Sequence, residues 1–307
     1  MRPAVGFVGV GNIGAPMCRH LVDGGYPVSV FDASTRALEE FRGTAATIAS
    51  SLTDLARRSE VVVLSLPDSD VVERVVLGRE GLAEGLAGGE VLIDTSSSRP
   101  SSTRRIAAHL AEQGIDMLDA PVSGGVLRAK EGSLAVMVGG REEVYERHRE
   151  LLGSFGGQVF YVGGHGAGHM TKCLNNLTSA TTLAAAAEVV LLGARAGLEP
   201  ETLVEVINAS SGRSYSTEVK FPRYVLNRAF DDGFAIRLMS KDVKIALDTA
   251  AELEGPMVIG EAVGRVWEQA AAGGFGSEGH TAIYDFLEKT MEQTDPEQEG
   301  IDHERGV

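Results

Sequence analysis

The run AVGFVG (residues 4–9) leads directly into GVGNIG (Gly9–Gly14), and a helical pattern follows at once. A G-x-G-x-x-G sequence between a strand and a helix leaves few choices of fold. The first glycine makes a tight turn, the second lets a pyrophosphate approach the backbone, and the third lets helix and strand pack closely. The helix amino terminus then attracts the phosphates. Residues Val10, Asn12 and Ile13 share this loop with Gly9, Gly11 and Gly14 as candidate cofactor contacts. The second strand candidate, VSVF (28–31), ends at Asp32, 23 residues after Gly9. A carboxylate there accepts hydrogen bonds from adenine ribose hydroxyls and repels a 2′-phosphate, which points to NAD. Arg36 on the same loop offsets part of that repulsion, so NADP stays open. A plain glycine turn with Asp32 as a helix cap does not account for the strand–loop–helix–strand–Asp order.

Further strand candidates are VVVLSL (61–66), VLID (91–94), IDMLDA (115–120), LAVMVGG (134–140) and QVFYVG (158–163). Helical patterns such as Ala15–Asp23 and Ser101–Gln113 lie between strands. Short apolar strands alternating with helices predict βαβ units and a parallel sheet buried on both faces. From about residue 166 strand signals fade and Ala/Leu/Glu-rich helical segments take over. The expected class is α/β, a Rossmann doubly wound sheet (1–163) followed by an all-α domain (164–292). The boundary is placed in GGHGAG, where four glycines surround His165. Residues 293–307 are polar and charged and are expected to form a frayed tail.

Ligands of open α/β sheets sit beyond the carboxyl ends of the strands. Two loops there, SLPDS (65–69) and DTSSSRP (94–100), make Leu66, Pro67, Ser96 and Ser97 candidates for the nicotinamide half. The serines are equally suited to capping the helix 101–113. A third loop, DAPVSGG (119–125), offers a hydroxyl and unobstructed backbone N–H groups, a nest able to hold a carboxylate at Ser123, Gly124 and Gly125. No G-x-S-x-G elbow or histidine partner marks Ser123 as a nucleophile.

Lys172 heads a segment, Cys173–Ala187, that contains no Asp, Glu, Lys or Arg. On a helix Asn176 shares its face, with Asn175 on the flank. A lysine in an apolar setting beside an amide can have its pKa lowered toward neutrality and can move a proton. Alcohol oxidation by NAD needs a base for the hydroxyl proton, and Lys172 supplies it while Asn176 orients the hydroxyl or the lysine. A lysine snorkelling at a helix start is the bland alternative. The dinucleotide loop and the nest in the same chain favour catalysis by Lys172 and Asn176, with Asn176 also binding substrate.

The formal net charge of −15 argues against a nucleic-acid partner. Cys18 and Cys173 form neither a disulfide framework nor a zinc spacing and read as small core residues in a reducing compartment. After Met1-Arg2-Pro3 the chain enters its first strand with no separate apolar segment and cleavage site, so a cytoplasmic location is expected. The most apolar long segment, Leu177–Gly197, carries Glu188 and Arg195 and reads as a core helix, with no membrane partner expected. His165 and His169 lie four apart with no third ligand evident, so no metal is expected.

Taken in chain order, GVGNIG, SLPDSDVV, DTSSSRP, DAPVSGG with GSLAVMVGG, GAGHMTKCLNN and FAIRLMSKDVKIAL resemble the β-hydroxyacid dehydrogenase family, over about residues 4–290. Its members include 3-hydroxyisobutyrate dehydrogenase and tartronate semialdehyde reductase. The resemblance implies NAD or NADP, a small carboxylate-bearing substrate, and a homodimer or homotetramer joined through the helical domain. It implies that Lys172 is the acid/base, that Asn176 holds substrate, that Ser123, Gly124 and Gly125 bind the carboxylate, and that Lys241 approaches the cofactor. Sugar-phosphate relatives resemble K-x-x-H-N where this chain has Lys172-Cys-Leu-Asn175-Asn176, which favours a small hydroxyacid. Imine reductases share the fold but usually lack the lysine.

The chain departs from the pattern at Arg128, where the family often has glycine. Arg128 and Arg213 are each candidates to read a second anionic group, or are solvated surface arginines. The expected activity is a 3-hydroxyisobutyrate dehydrogenase-like oxidoreductase. A tartronate semialdehyde or sulfolactaldehyde-type reductase is the alternative, and a non-catalytic NAD-binding scaffold is the rival of another class.

Overall fold

The structure, a computed structural model, describes residues 2–293; of the expected tail at 293–307, Gln293 ends a helix and 294–307 lie outside the described residues. The chain divides into two compact units that part between Leu174 and Asn175.

In the first unit, strands β1 (Val5–Val8), β2 (Val28–Phe31), β3 (Thr47–Ile48), β4 (Val61–Leu64), β5 (Val91–Asp94) and β6 (Asp116–Asp119) run parallel, in the spatial order 3-2-1-4-5-6. The sheet continues through β8 (Leu134–Gly140), which pairs antiparallel with β6 and with β7 (Val122–Ser123), and ends on β9 (Gly156–Gly163), parallel to β8. The expected parallel sheet runs from β1 to β6, and the direction reverses at β8. The connection from β6 to β8 carries β7 and the short helix α6 (Gly125–Glu131), and the chain returns in the opposite direction. β3 and β7, two residues each, are too short to leave an alternating pattern in the sequence.

Every residue of β1, β4 and β5 is buried. Alternation along them splits the core by period two. Phe7, Val63 and Ile93 join the apolar layer on one face, and Val8, Leu64 and Leu92 the layer on the other. The register aligns Val8 with Phe31 and Leu64, Leu64 with Asp94, and Asp94 with Asp119. The loops after five strands thus leave from one edge of the sheet, the edge at which open α/β sheets bind ligands.

Helix α8 (Ala167–Arg195) starts in the first unit and continues into the second. By length and composition alone it could cross a membrane. Its stripe of Cys173, Ala180, Leu183, Ala187 and Val190 is fully buried, as in a core helix. The second unit adds α9 (Pro200–Asn208), α10 (Ile236–Glu252), α11 (Val258–Ala270) and α12 (Ile283–Gln293). The stretch Ser216–Val225 is π-helical, and after α11 the chain kinks at Gly273 and Gly274, whose backbone is not helical. Pro222 lies inside Ser216–Val225, where its ring would clash in a regular helix. Trp267 anchors this unit: it is fully buried, and its indole N–H donates to the Ala180 carbonyl at 3.4 Å.

Candidate active site

The glycine loop is held by contacts that only glycine allows at two of its three positions. Gly9 has φ +90°, and a Cβ there would lie 2.3 Å from the Ser65 carbonyl oxygen. A Cβ on Gly14 would lie 2.0 Å from the Gly9 carbonyl oxygen. Gly11 is different, with nothing within 4 Å of a Cβ built on it. It faces a cavity of about 730 Å³ that Val10, Asn12, Arg36 and Lys130 also line. Helix α1 (Gly14–Asp23) begins there with no side-chain cap; Ala15 and Met17 donate to the Gly11 and Ile13 carbonyls and Pro16 has no N–H, so an anion would meet the loop N–H groups that precede them. An open glycine, an uncapped helix start and a cavity of this size fit a dinucleotide pyrophosphate.

Asp32 does more than the sequence suggested. Its Oδ2 accepts the Val10 N–H at 2.8 Å and its Oδ1 accepts the Ser34 N–H at 2.7 Å. The carboxylate therefore fixes the glycine loop to β2 and keeps lone pairs for ribose hydroxyls. Arg36 also lines the cavity, so a cation for a 2′-phosphate is at hand.

The next two loops are tied to each other. Ser96 is buried, and its Oγ accepts the Leu66 N–H at 2.9 Å. Leu66 and Ser97 are half-buried and Pro67 is exposed. Helix α5 (Pro100–Ala111) starts after Arg99 with no side-chain cap, so the serines do not serve as its cap.

Beyond β7 the chain turns through Gly124 (φ +139°) and Gly125 (φ +67°). A Cβ on Gly124 would lie 2.7 Å from both Cβ and Cδ of Arg128, so the arginine stem lies across the turn next to Ser123. Arg213 is exposed and sits 3.5 Å from Glu218. Lys172 is buried in the second turn of α8, and Asn176 follows one helical turn later, also buried. The Asn176 amide donates to Asp242 Oδ2 at 2.6 Å, and Asn175 donates to Asn176 Oδ1 at 3.3 Å. Lys241 Nζ lies 3.2 Å from the other oxygen of Asp242. Asp242, fully buried, thus joins two predicted site residues, Asn176 and Lys241. Sequence reading missed it, although the Lys-Asp pair on an apolar helix was the available signal.

The two histidines point to different partners. His165 Nε2 lies 3.1 Å from the Met117 carbonyl, and His169 Nδ1 lies 2.6 Å from Thr103 Oγ1. Asp119, another residue that sequence reading passed over, is fully buried and accepts backbone N–H groups from the start of α8.

Two family models match the chain. The NAD binding domain of 6-phosphogluconate dehydrogenase matches residues 4–163, and the model described as NAD-binding of NADP-dependent 3-hydroxyisobutyrate dehydrogenase matches residues 166–287. The chain is 36% identical to 2-(hydroxymethyl)glutarate dehydrogenase of Eubacterium barkeri, covering 93% of this chain and 95% of that protein. It is 33% identical to the mitochondrial 3-hydroxyisobutyrate dehydrogenase of Rattus norvegicus, covering 93% and 87%. Among solved structures, Mycobacterium tuberculosis 3-hydroxyisobutyrate dehydrogenase with L-serine is similar at a TM-score of 0.86 and 30% identity, covering 94% of this chain and 99% of that one. Psf3 in complex with NADP+ and 2-OPP is similar at a TM-score of 0.82 and 27% identity, covering 92% and 99%.

Proposed function

The chain belongs to the β-hydroxyacid dehydrogenase family and is an NAD(P)-dependent dehydrogenase; from that premise we propose that it interconverts a small β-hydroxyacid and its semialdehyde, with Lys172 moving the proton. The observation that carries this reading is a buried lysine near the head of α8 with a buried amide one turn on.

Bound NAD(P) supplies the hydride acceptor. In the oxidation, the hydroxyl O–H breaks and its proton passes to the neutral amine of Lys172; in the reverse direction the ammonium returns it. Asn176 orients the oxygen, and Asp242 fixes which way its amide points by accepting an N–H. The turn at Ser123, Gly124 and Gly125 receives the substrate carboxylate through its hydroxyl and backbone N–H groups. Asp32 favours NAD through the ribose hydroxyls, with Arg36 as the residue that would admit NADP.

The test is turnover with a panel of hydroxyacids and both cofactors. Lys172→Ala should lower kcat about 10²- to 10⁴-fold while NADH binding is unchanged. Near-normal turnover in that variant sinks the mechanism, and silence of the wild-type protein across the panel favours the scaffold. A second substrate reading rests on the Arg128 stem lying across the Gly124 turn. It is a hydroxyacid with a second acid group, as the name of the Eubacterium barkeri relative describes. Arg128→Ala then costs such a substrate much more than one with a single carboxylate.

A homodimer or homotetramer joined through the helical unit is part of the same proposal. Val189 and Leu192 on α8, Leu198 and Val206 at α9, and Val258 and Ile259 on α11 are large apolar side chains left exposed. Exposed apolar side chains of this size suit a protein–protein contact.

A further inference from the structure

Helix α8 begins against the sheet with no clearance. A Cβ on Gly168 would lie 2.4 Å from the carbonyl oxygens of both Asp119 and Met137. A Cβ on Gly139 would lie 2.6 Å from Asp119 Oδ1 and 2.8 Å from the Gly168 nitrogen. The helix start is therefore seated on the ends of β6 and β8 at a distance only glycine permits. Into that contact the chain places a carboxylate. Asp119 Oδ1 accepts the Gly166 N–H at 2.8 Å, and Oδ2 accepts the His169 N–H at 2.9 Å. These are N–H groups that a helix start leaves without partners, and a negative charge there also complements the helix dipole.

The carboxylate belongs to a wider buried cluster. His169 is fully buried, its Nδ1 is 2.6 Å from Thr103 Oγ1 on α5, and its Nε2 lies 3.7 Å from Asp94 Oδ2. Asp94, also fully buried, accepts the Ser96 N–H at 3.0 Å and the Ser98 hydroxyl at 3.2 Å. Four segments thus meet: the ends of β5 and β6, the first turn of α5 and the first turn of α8. Burying two carboxylates and an imidazole is costly before their mutual contacts offset it, and an apolar cluster of the same volume holds a fold as well. What the polar cluster adds is direction, because each hydrogen bond fixes one atom against another.

We infer that Asp119 is a positioning residue for Lys172, setting the helix start that carries the lysine in register with the Ser123–Gly125 turn. Asp119 is four residues before Ser123 in the chain and holds the backbone of His169, three residues before Lys172. One side chain therefore indexes the acid-binding turn and the proton-transfer helix to each other. The inference rests on Lys172 being the acid/base.

The experiment compares Asp119→Asn and Thr103→Val, each alone and in a Lys172→Ala background. The readouts are kcat, KM for the hydroxyacid, NADH affinity by fluorescence and thermal melting. Asp119→Asn keeps the size but turns one acceptor into a donor facing a backbone N–H. A misplacement on the order of 1 Å at a reacting group can cost about 10²-fold, so kcat should fall about 10- to 100-fold. NADH affinity should stay within about twofold, and the effect should vanish when Lys172 is already alanine. Thr103→Val, which releases the His169 ring and the hydroxyl's bond to the Arg99 carbonyl within its own helix, should show the same pattern at about 3- to 10-fold. A folded Asp119→Asn enzyme with kcat within about twofold of wild type overturns the inference. So does an equal loss with and without Lys172. If Asp119→Asn fails to fold, Thr103→Val decides by the same criteria. Normal turnover in Lys172→Ala alone would instead refute the acid/base reading beneath it.

Discussion

Two places in the first unit look alike in sequence: GVGNIG between β1 and α1, and GGHGAG between β9 and α8. Both are glycine-rich turns from a parallel strand into a helix. At the first, the helix start has no side-chain cap, and the middle glycine faces a large cavity. At the second, a buried carboxylate from β6 already accepts the N–H groups of the helix start. An open helix start is a place for an anion from outside, and a filled one fixes the helix and whatever side chain it carries. The same local pattern therefore builds a binding loop in one case and a mount for Lys172 in the other.

Removing the mounted group gives the largest expected effect. Lys172→Ala should cut kcat about 10²- to 10⁴-fold, read by NADH absorbance at saturating substrate, and leave NADH affinity as it is. If cofactor binding falls too, the lysine is not confined to proton transfer and the contrast between the two turns weakens.

Glycine-to-alanine changes compare the turns directly. Gly14→Ala and Gly168→Ala each drive a methyl into backbone oxygens, at 2.0 Å and 2.4 Å before relaxation. Each should destabilise the fold by about 1–3 kcal/mol or more in denaturant titration. Unchanged melting of Gly168→Ala would mean that α8 is not seated on the strands as described.

A buried acid in the second unit tests whether carboxylates held by donors stabilise this protein generally. Asp232 accepts from His280 at 2.5 Å and from the Thr281 hydroxyl and N–H at 2.6 Å and 3.0 Å. Burial alone would push its carboxyl up, but the His280 and Thr281 bonds outweigh it and hold the pKa at about 2, below the ordinary 3.8. A depressed carboxylate contributes stability above its unfolded value that is lost as pH falls through the folded one. Stability should therefore drop between pH 3.8 and about 2. Asp232→Asn should remove that acid dependence and about 2 kcal/mol at neutral pH, measured by urea unfolding across pH. An unchanged acid limb in the variant would place the sensitivity elsewhere.

The smallest structural effect belongs to Gly11. With open space around it, Gly11→Ala should change stability by less than about 0.5 kcal/mol while weakening NADH roughly tenfold. Wild-type affinity in this variant would mean that the pyrophosphate does not approach Gly11.

The dinucleotide loop was legible because its parts are contiguous and made of backbone. Gly9–Gly14 and Asp32 lie on adjacent strands in one βαβ unit, so spacing alone relates them. Lys172 and Asn176 were legible for a related reason: one helical turn separates them, and a lysine before a long uncharged stretch stands out. Asp242 and Asp119 were not. Asp242 reaches Asn176 across 66 residues, and Asp119 reaches His169 across 50. The antiparallel return at β8 was hidden as well, since strand direction follows from the connection that packs and leaves no mark on the apolar run.

The sequence by itself determined the alternating α/β order, the glycine loop with its acid, the lysine–amide spacing and the family. These depend on local conformation and on periods of 2 and 3.6, which a chain carries wherever it packs. Only the tertiary structure decided which glycine-rich helix start stays open and which is filled. That depends on a carboxylate brought from a distant strand, and on whether neighbouring backbones come close enough to forbid a Cβ. Occupancy of a helix start is a fact of packing, and packing joins residues that the sequence keeps far apart.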